Sequence, residues 1–311
     1  MRRNETNIQI DKLKLCFRVP AEELQYLKEK PSVLFVGGYK LKPAMDDRFD
    51  YCYKVYESNA GELLFDMDEI GDWCSWGLNQ KESEVPVASI KFGNAIDRNR
   101  DYVYLMYYVY NHVLYSDKLA EVVNLPLLLS DSISFNNYSE LDIALDTQQN
   151  VSSLIKKMLR DENITTVVNR KVVSDRKIVI KRICFEYSTS LTKLMYPTVT
   201  IEQEKAHKEK GVEIQAYNKI AEIENSSEKY YILKHYDYPK RLYRLEVRLP
   251  YQSIKDYHIK NGLEEDMNLI FDKQKLLEMF LHFLDSVIHF KDRSRRKIQW
   301  KELLRLSPEG I

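Results

Sequence analysis

The sequence predicts an α+β protein, with two similar halves pooling their strands into a central, mainly antiparallel sheet and a helix at the C-terminal end. Three observations predict it. Apolar and polar residues alternate with the period of a half-buried strand in several separate segments. These segments come in the order strands, helix, strands, and the order occurs twice. The C-terminal stretch changes to a helical stripe of Leu276, Leu277, Phe280, Leu281, Leu284, Val287 and Ile288.

Along the chain, residues 8–19 alternate as a strand that Pro20 ends, and Ala21 to Lys30 reads as a short helix. Residues 50–56 and 61–66 read as a hairpin around Asn59-Ala60-Gly61. Gly37-Gly38 and Gly71 read as turns, since they lack the spacing of a phosphate loop. Ile90 to Phe92 suits another strand, while Tyr102 to Tyr115 is apolar enough for either a strand or a buried helix. Residues 118–130 start helical and are interrupted at Pro126. Ser132 to Asp146 contains an acidic strand, and Asn150 caps a helix with the stripe Val151, Leu154, Ile155, Met158 and Leu159.

Further on, Thr165–Val173 and Lys177–Ser188 read as a strand pair joined at Ser174-Asp175. Residues 191–210 start helical around Pro197 and become charged. Val212 to Tyr217 alternates again, helix-like sequence runs through Glu224, and Leu242 to Leu249 is a strand closed by Pro250. Asp272 caps the C-terminal helix, which is expected to end in the basic run Lys291-Asp292-Arg293-Ser294-Arg295-Arg296-Lys297.

The composition is that of a soluble globular protein, with 44% apolar and 30% charged residues in 311. A net charge of zero hides an asymmetry: residues 1–150 carry 16 basic and 24 acidic side chains, a net of −8, and residues 151–250 carry 20 and 13, a net of +7. The basic middle suits a polyanion. The 22 tyrosines fit a strand-rich core and also suit stacking on bases. Cys16, Cys52, Cys74 and Cys184 have no paired spacing, which argues against a zinc ribbon or a disulfide framework and fits a reducing cytoplasm. The start Met-Arg-Arg continues polar, and no run of 18 apolar residues occurs.

Three strands carry chemistry on one face. Asp142 and Asp146 share a face with only Ala144 between them; Glu213, Gln215 and Tyr217 share another, and Arg244, Glu246 and Arg248 a third. Each is backed by an apolar face on the same strand. Brought together, these carboxylates would select Mg²⁺ or Mn²⁺ over Zn²⁺. The arginines suit phosphate oxygens, and a tyrosine hydroxyl is a covalent nucleophile. The bland reading of each strand alone is a half-exposed sheet with cross-strand ion pairs. The six histidines (His112, His207, His235, His258, His282 and His289) form no His-hydrophobe-His pair, so a metal site must be built of carboxylates.

Leu141-Asp142-Ile143-Ala144-Leu145-Asp146, then Ala216-Tyr217-Asn218-Lys219-Ile220-Ala221-Glu222, then Tyr243-Arg244-Leu245-Glu246-Val247-Arg248 resembles the replication initiation factor family, the initiators of rolling-circle plasmids, mobile elements and filamentous phages. The resemblance spans about residues 130–250. It implies nicking and rejoining of single-stranded origin DNA through a covalent 5′-phosphotyrosine, with a free 3′-OH left as primer. It makes Tyr217 the nucleophile, with Tyr187 and Tyr243 as fallbacks, and Lys219 its neighbour at the phosphate. Asp142 and Glu246 become metal ligands, with Asp146 and Glu222 behind them; Arg244 and Arg248 hold phosphate. The family's acidic strand usually begins with an arginine, where Glu140-Leu141 stands here.

Residues 1–250 would then be the nicking domain, with halves at about 1–146 and 147–250, and residues 251–311 a helical extension. In its basic tail, Arg293, Arg295, Arg296 and Lys297 would grip the DNA backbone or simply suit the end of the helix dipole. A host helicase and a second copy of the chain are the further partners this resemblance suggests. A primase-type nucleotidyl transferase shares the paired acidic strands but has no use for the tyrosine-lysine motif. A non-catalytic nucleic-acid-binding protein would use the same basic middle and tyrosines. Convergence of Asp142, Glu246 and Tyr217 discriminates the enzyme from the binding protein.

Overall fold

The structure, a computed structural model, describes residues 6–23, 33–46, 48–58, 85–93, 101–172, 184–187, 197–202 and 211–306. It is a mixed α+β fold built around a large antiparallel sheet. The chain divides into two compact units: the first comprises Met1–Lys12 and Glu140–Ile311, the second Leu13–Ser139. Two long strands, β1 (Thr6–Pro20) and β7 (Ser134–Thr147), each run through both. The division therefore falls inside β7 at Glu140, a few residues before the expected boundary at 146. Residues 251–311 belong to the first unit instead of standing apart as an extension.

In the second unit, β2 (Leu34–Val36), β3 (Tyr39–Ala44), β4 (Phe49–Glu57), β5 (Ala88–Gly93) and β6 (Tyr102–Val109) form an antiparallel meander with β1 added beside β6. Gly37 and Gly38 make the two-residue turn between β2 and β3. Both have positive φ, a backbone that suits glycine because a Cβ would strain it. The 102–115 segment resolves as a strand over Tyr102–Val109, where burial alternates strictly with Val103, Leu105, Tyr107 and Val109 inside, and it ends in a 3-10 turn at Val113–Tyr115. The Tyr107 hydroxyl, deep in this core, donates to the Val122 carbonyl at 2.7 Å. Helix α1 (Leu119–Asn124) passes into a 3-10 turn (Leu125–Leu128) at Pro126, as the sequence predicts. The expected strand at 61–66, and the expected helix beyond residue 23, lie outside the described residues.

In the first unit, β8 (Thr165–Val168) and β9 (Lys171–Val172) form a hairpin, and β10 (Cys184–Tyr187), β11 (Pro197–Glu202), β12 (Glu213–Asn218) and β13 (Tyr243–Pro250) run side by side with β13 against β7. Helix α2 (Val151–Arg160) starts where Asn150 accepts from the Ser153 N–H at 2.9 Å, which meets one of the unpaired donors of the first turn. It lies against β11, β12 and β13. Three helices follow: α3 (Lys219–Glu222), α4 (Tyr230–His235) and α5 (Tyr251–Asn261). Helix α6 (Lys273–Val287) is capped by Asp272, which accepts from Lys275 N–H at 3.0 Å. Both α5 and α6 reach β13, which is why the C-terminal segment joins the first unit: its apolar stripe is part of that core.

Several expectations change. The expected strand Thr165–Val173 folds back on itself at Asn169-Arg170 as the β8–β9 hairpin, and Ser174-Asp175 lies outside the described residues; β8 also pairs with β14 (Ile288–Lys291) in a small second sheet that β15 (Lys297–Ile298) completes, while β10 belongs to the large sheet. Pro197 opens strand β11 and does not interrupt a helix. Helix α6 stops at Val287, so the basic run does not sit at a helix end; it forms the turn between β14 and β15. Trp300 opens α7 (Trp300–Leu303) and is buried against Phe290, its indole N–H donating to the Ile288 carbonyl at 2.9 Å.

Candidate active site

Strand register brings the three polar faces together. On β13, Arg244 stands between Tyr217 of β12 and Asp146 of β7; two residues on, Glu246 stands between Gln215 and Ala144; two further, Arg248 stands between Glu213 and Asp142. Because side chains alternate with period two, all nine belong to one face. The opposite face holds Ile143, Leu145, Ile214, Ala216, Leu245 and Val247, each buried, so the alternation leaves the polar set no other side to occupy.

Arg244 is buried at 0% exposure and spends its fork inside the protein. Its Nε and Nη2 donate to the two oxygens of Asp146 at 2.7 and 2.6 Å, and Nη1 donates to Asp11. The Tyr236 hydroxyl, also buried, donates to the same Asp146 Oδ2 at 2.8 Å. Both Asp146 oxygens and the Arg244 fork are thus committed to one another. As placed, neither is open to a cation or a phosphate. Asp11 and Tyr236 are the members of this network that sequence reasoning missed. Asp11 was legible as an acid inside an apolar strand, whereas Tyr236 follows a short helix with no pattern to mark it.

Tyr217 donates to Glu246 Oε2 at 2.8 Å. Burial first, and the Glu246 carboxylate next, hold its hydroxyl well above its ordinary pKa. Lys219 follows directly because Asn218 ends β12 and caps α3, its side chain accepting from the Ala221 N–H at 3.2 Å. That turn places the Lys219 ammonium 5.6 Å from the centre of the Tyr217 ring. The same ammonium pairs with Glu222 at 2.9 Å, and burial, then Arg244, lower its pKa.

Arg248 is the outer arginine. It donates from Nε to Glu246 Oε1 at 2.7 Å, from Nη1 to Glu213 at 2.9 Å and from Nη2 to Gln215 at 3.1 Å. Beneath it, Asp142 lies 3.8 Å from its Nε. Asp142 Oδ1 is buried and has no hydrogen-bond partner. Burial first, and the nearby Glu246 charge second, push the Asp142 carboxyl up to about 8. Two carboxylates held close with one oxygen unsatisfied fit a hard divalent cation, since Mg²⁺ commonly takes one or two carboxylates and completes its shell with water and substrate oxygens. Among the described residues no group of three or more His, Cys, Asp or Glu side chains is clustered as a metal site. A cation here would therefore depend on Asp142 and Glu246.

The basic tail lies elsewhere. Arg293, Arg295, Arg296 and Lys297 are exposed on the β14–β15 turn, where Arg293 bonds Asn163, Arg296 faces Asp292 at 3.5 Å and Lys297 pairs with Asp285. Of the fallback tyrosines, Tyr243 stands beside Thr147 and Asn218 on the face opposite Arg244, and the Tyr187 side chain lies outside the described residues.

Among solved structures, the chain is similar to a rolling circle replication initiator protein from Geobacillus stearothermophilus, at 12% identity and a TM-score of 0.48, over 97% of this chain and 95% of that one. No protein-family model matches the chain, and no curated protein matches it. No helix among the described residues is long and apolar enough to cross a membrane.

Proposed function

We propose that this protein is a rolling-circle replication initiator that nicks and rejoins single-stranded origin DNA through a 5′-phosphotyrosine. One observation carries the reading: Asp142, Glu246 and Tyr217 share one face of three adjacent strands. The three segments that resemble the initiator motifs are thereby neighbours in space as well as in order.

In this reading Tyr217 is the nucleophile. Its proton passes to Glu246, its phenolic oxygen forms a bond to phosphorus, and the bond from phosphorus to the 3′ oxygen breaks. The product is a 5′-phosphotyrosine and a 3′-OH, which takes up a proton, and the reverse sequence rejoins the strand. Asp142 and Glu246 would hold Mg²⁺ or Mn²⁺, which would draw negative charge from the phosphoryl oxygens. Arg248, with its side chain 41% exposed, is the arginine able to turn toward a phosphate. Arg244 and Asp146 act as the rigid floor that fixes the strand register, and Lys219 with Glu222 borders the tyrosine. DNA is the partner, with the exposed turn at Arg293, Arg295, Arg296 and Lys297 as a backbone contact. A helicase and a second copy are further expected partners.

A second reading, a non-catalytic nucleic-acid-binding protein, is favoured by the 5% exposure of Tyr217, which the nicking reaction requires to open. The deciding experiment incubates the protein with labelled single-stranded DNA from the non-coding region upstream of its own gene, with Mg²⁺ or Mn²⁺, on a denaturing gel. A covalent protein–DNA band that EDTA removes and that maps to Tyr217 supports nicking. Binding without that band, across both metals, overturns it in favour of the second reading.

A further inference from the structure

We infer that Arg248 is a tethered cation that occupies the divalent metal's place until a DNA phosphate draws it away. Its guanidinium bonds the oxygens that a metal would take. Glu246 has two: Oε2 accepts from Tyr217 at 2.8 Å, and Oε1 accepts from Arg248 Nε at 2.7 Å. Asp142 Oδ2 lies 3.8 Å from the same nitrogen, while its Oδ1 is buried without a hydrogen-bond partner. Among the described residues, Arg248 is the one cation paired with either carboxylate. Asp142 is 4% exposed and Glu246 1%, so water screens them little.

A guanidinium and a divalent ion on the same oxygens would be like charges in contact at a poorly screened site, so one excludes the other. Arg248 is the one able to leave. Its side chain is 41% exposed, and its remaining bonds, to Glu213 and Gln215, lie at the outer edge of the site. Arg244 has no such freedom, because it is buried between Asp146 and Asp11. Leaving breaks three hydrogen bonds, and a phosphate that accepts two parallel N–H bonds from the guanidinium replaces much of that loss. A phosphate that draws Arg248 outward thereby uncovers Glu246 and Asp142 for the metal. By linkage, metal and phosphate then tighten each other's binding by the same factor. This deepens the proposed function and rests on it for the metal ligands and the DNA partner; the tyrosine chemistry does not enter.

The test is titration calorimetry of Mn²⁺ into the whole, metal-stripped protein without DNA. Arg248→Gln should tighten Mn²⁺ binding by about tenfold or more, the size of effect that a group bonded to a metal ligand exerts. Lys12→Gln is the control: its charge also acts on Asp142, but the ammonium pairs with Glu140 at 2.6 Å. That change should tighten binding by less than about threefold, as for a partly exposed ion pair. Saturating oligo(dT) should then raise the Mn²⁺ affinity of the wild type by a larger factor than that of Arg248→Gln, where no guanidinium has to leave. In wild-type protein with isotope-labelled arginine, the Nε–H signal that Arg248→Lys lacks should shift when Mg²⁺ is added, which decides the matter if Arg248→Gln fails to fold. Equal Mn²⁺ affinity in wild type and Arg248→Gln, an equal gain in Lys12→Gln, equal oligo(dT) factors or an unmoved Nε–H signal would each overturn this inference alone. Absence of Mn²⁺ binding in every protein would overturn it together with the metal ligands of the proposed function, whereas a missing covalent DNA band would leave it standing.

Discussion

The Tyr217 hydroxyl reaches diagonally across β12 and β13 to Glu246, 2.8 Å away, and not to Arg244 directly opposite. Arg244 is taken by Asp146 and Asp11. The tyrosine is thereby aimed at the carboxylate whose charge acts on Asp142, diagonal to it on the neighbouring strand.

Replacing Tyr217 by Phe should abolish the covalent DNA adduct, a loss of at least about a thousandfold, as expected when a nucleophile is removed. Oligonucleotide affinity should stay within about twofold, because the hydroxyl contributes one hydrogen bond and no charge. The denaturing gel and fluorescence anisotropy of a labelled oligonucleotide read the two quantities separately, and an adduct that survives would move the nucleophile to another tyrosine.

Glu246→Gln should also cut cleavage, and it should weaken Mn²⁺ binding, measured by titration calorimetry. Wild-type metal affinity in that variant would remove Glu246 from the ligand set.

Asp142 makes stability depend on pH. Its folded pKa of about 8 lies above the ordinary 3.8, so between these values the folded protein holds a proton that the unfolded chain has released. Stability therefore falls as pH rises through that window, and the loss is complete above about pH 8. Asp142→Asn should flatten this slope and make the protein more stable than wild type at about pH 9, as read from urea midpoints. A parallel pH profile in the variant would show that Asp142 does not titrate there. If Asp142 is a ligand, Mn²⁺ binding near neutral pH should also release a proton, because the metal requires the carboxylate.

Breaking the floor of the site should cost more than changing its edge. Asp146→Asn leaves the buried Arg244 charge without its main partner and should destabilise by about 3–5 kcal/mol. Arg244→Met with Asp146→Leu, which removes both charges, should recover much of that. Urea denaturation of the two variants tests the ordering.

The Asn169-Arg170 turn offers a stabilising change. Arg170 has a positive φ, in the left-handed region. That conformation costs a residue with a Cβ about 1 kcal/mol or more. Arg170→Gly should raise stability by up to about that amount, which thermal melting would detect.

The sequence by itself determined the strands and caps that position the site. Period-two alternation around Asp142, Tyr217 and Glu246 marked each strand and assigned its polar face, because a side-chain period of two leaves no freedom once one face is apolar. Asn150 and Asp272 marked helix starts through a local side-chain bond to the first turn. What only the tertiary structure decided is long-range. Strand order made β12, β13 and β7 neighbours, and register put Tyr217 beside Arg244 and diagonal to Glu246. Burial then divided the arginines: Arg244 became a floor held by Asp146 and Asp11, with Tyr236 bonded to the same Asp146, while Arg248 stayed at the edge. The basic run after α6 looked like a helix end because cations suit one, but pairing of β14 with β8 turned it into a hairpin.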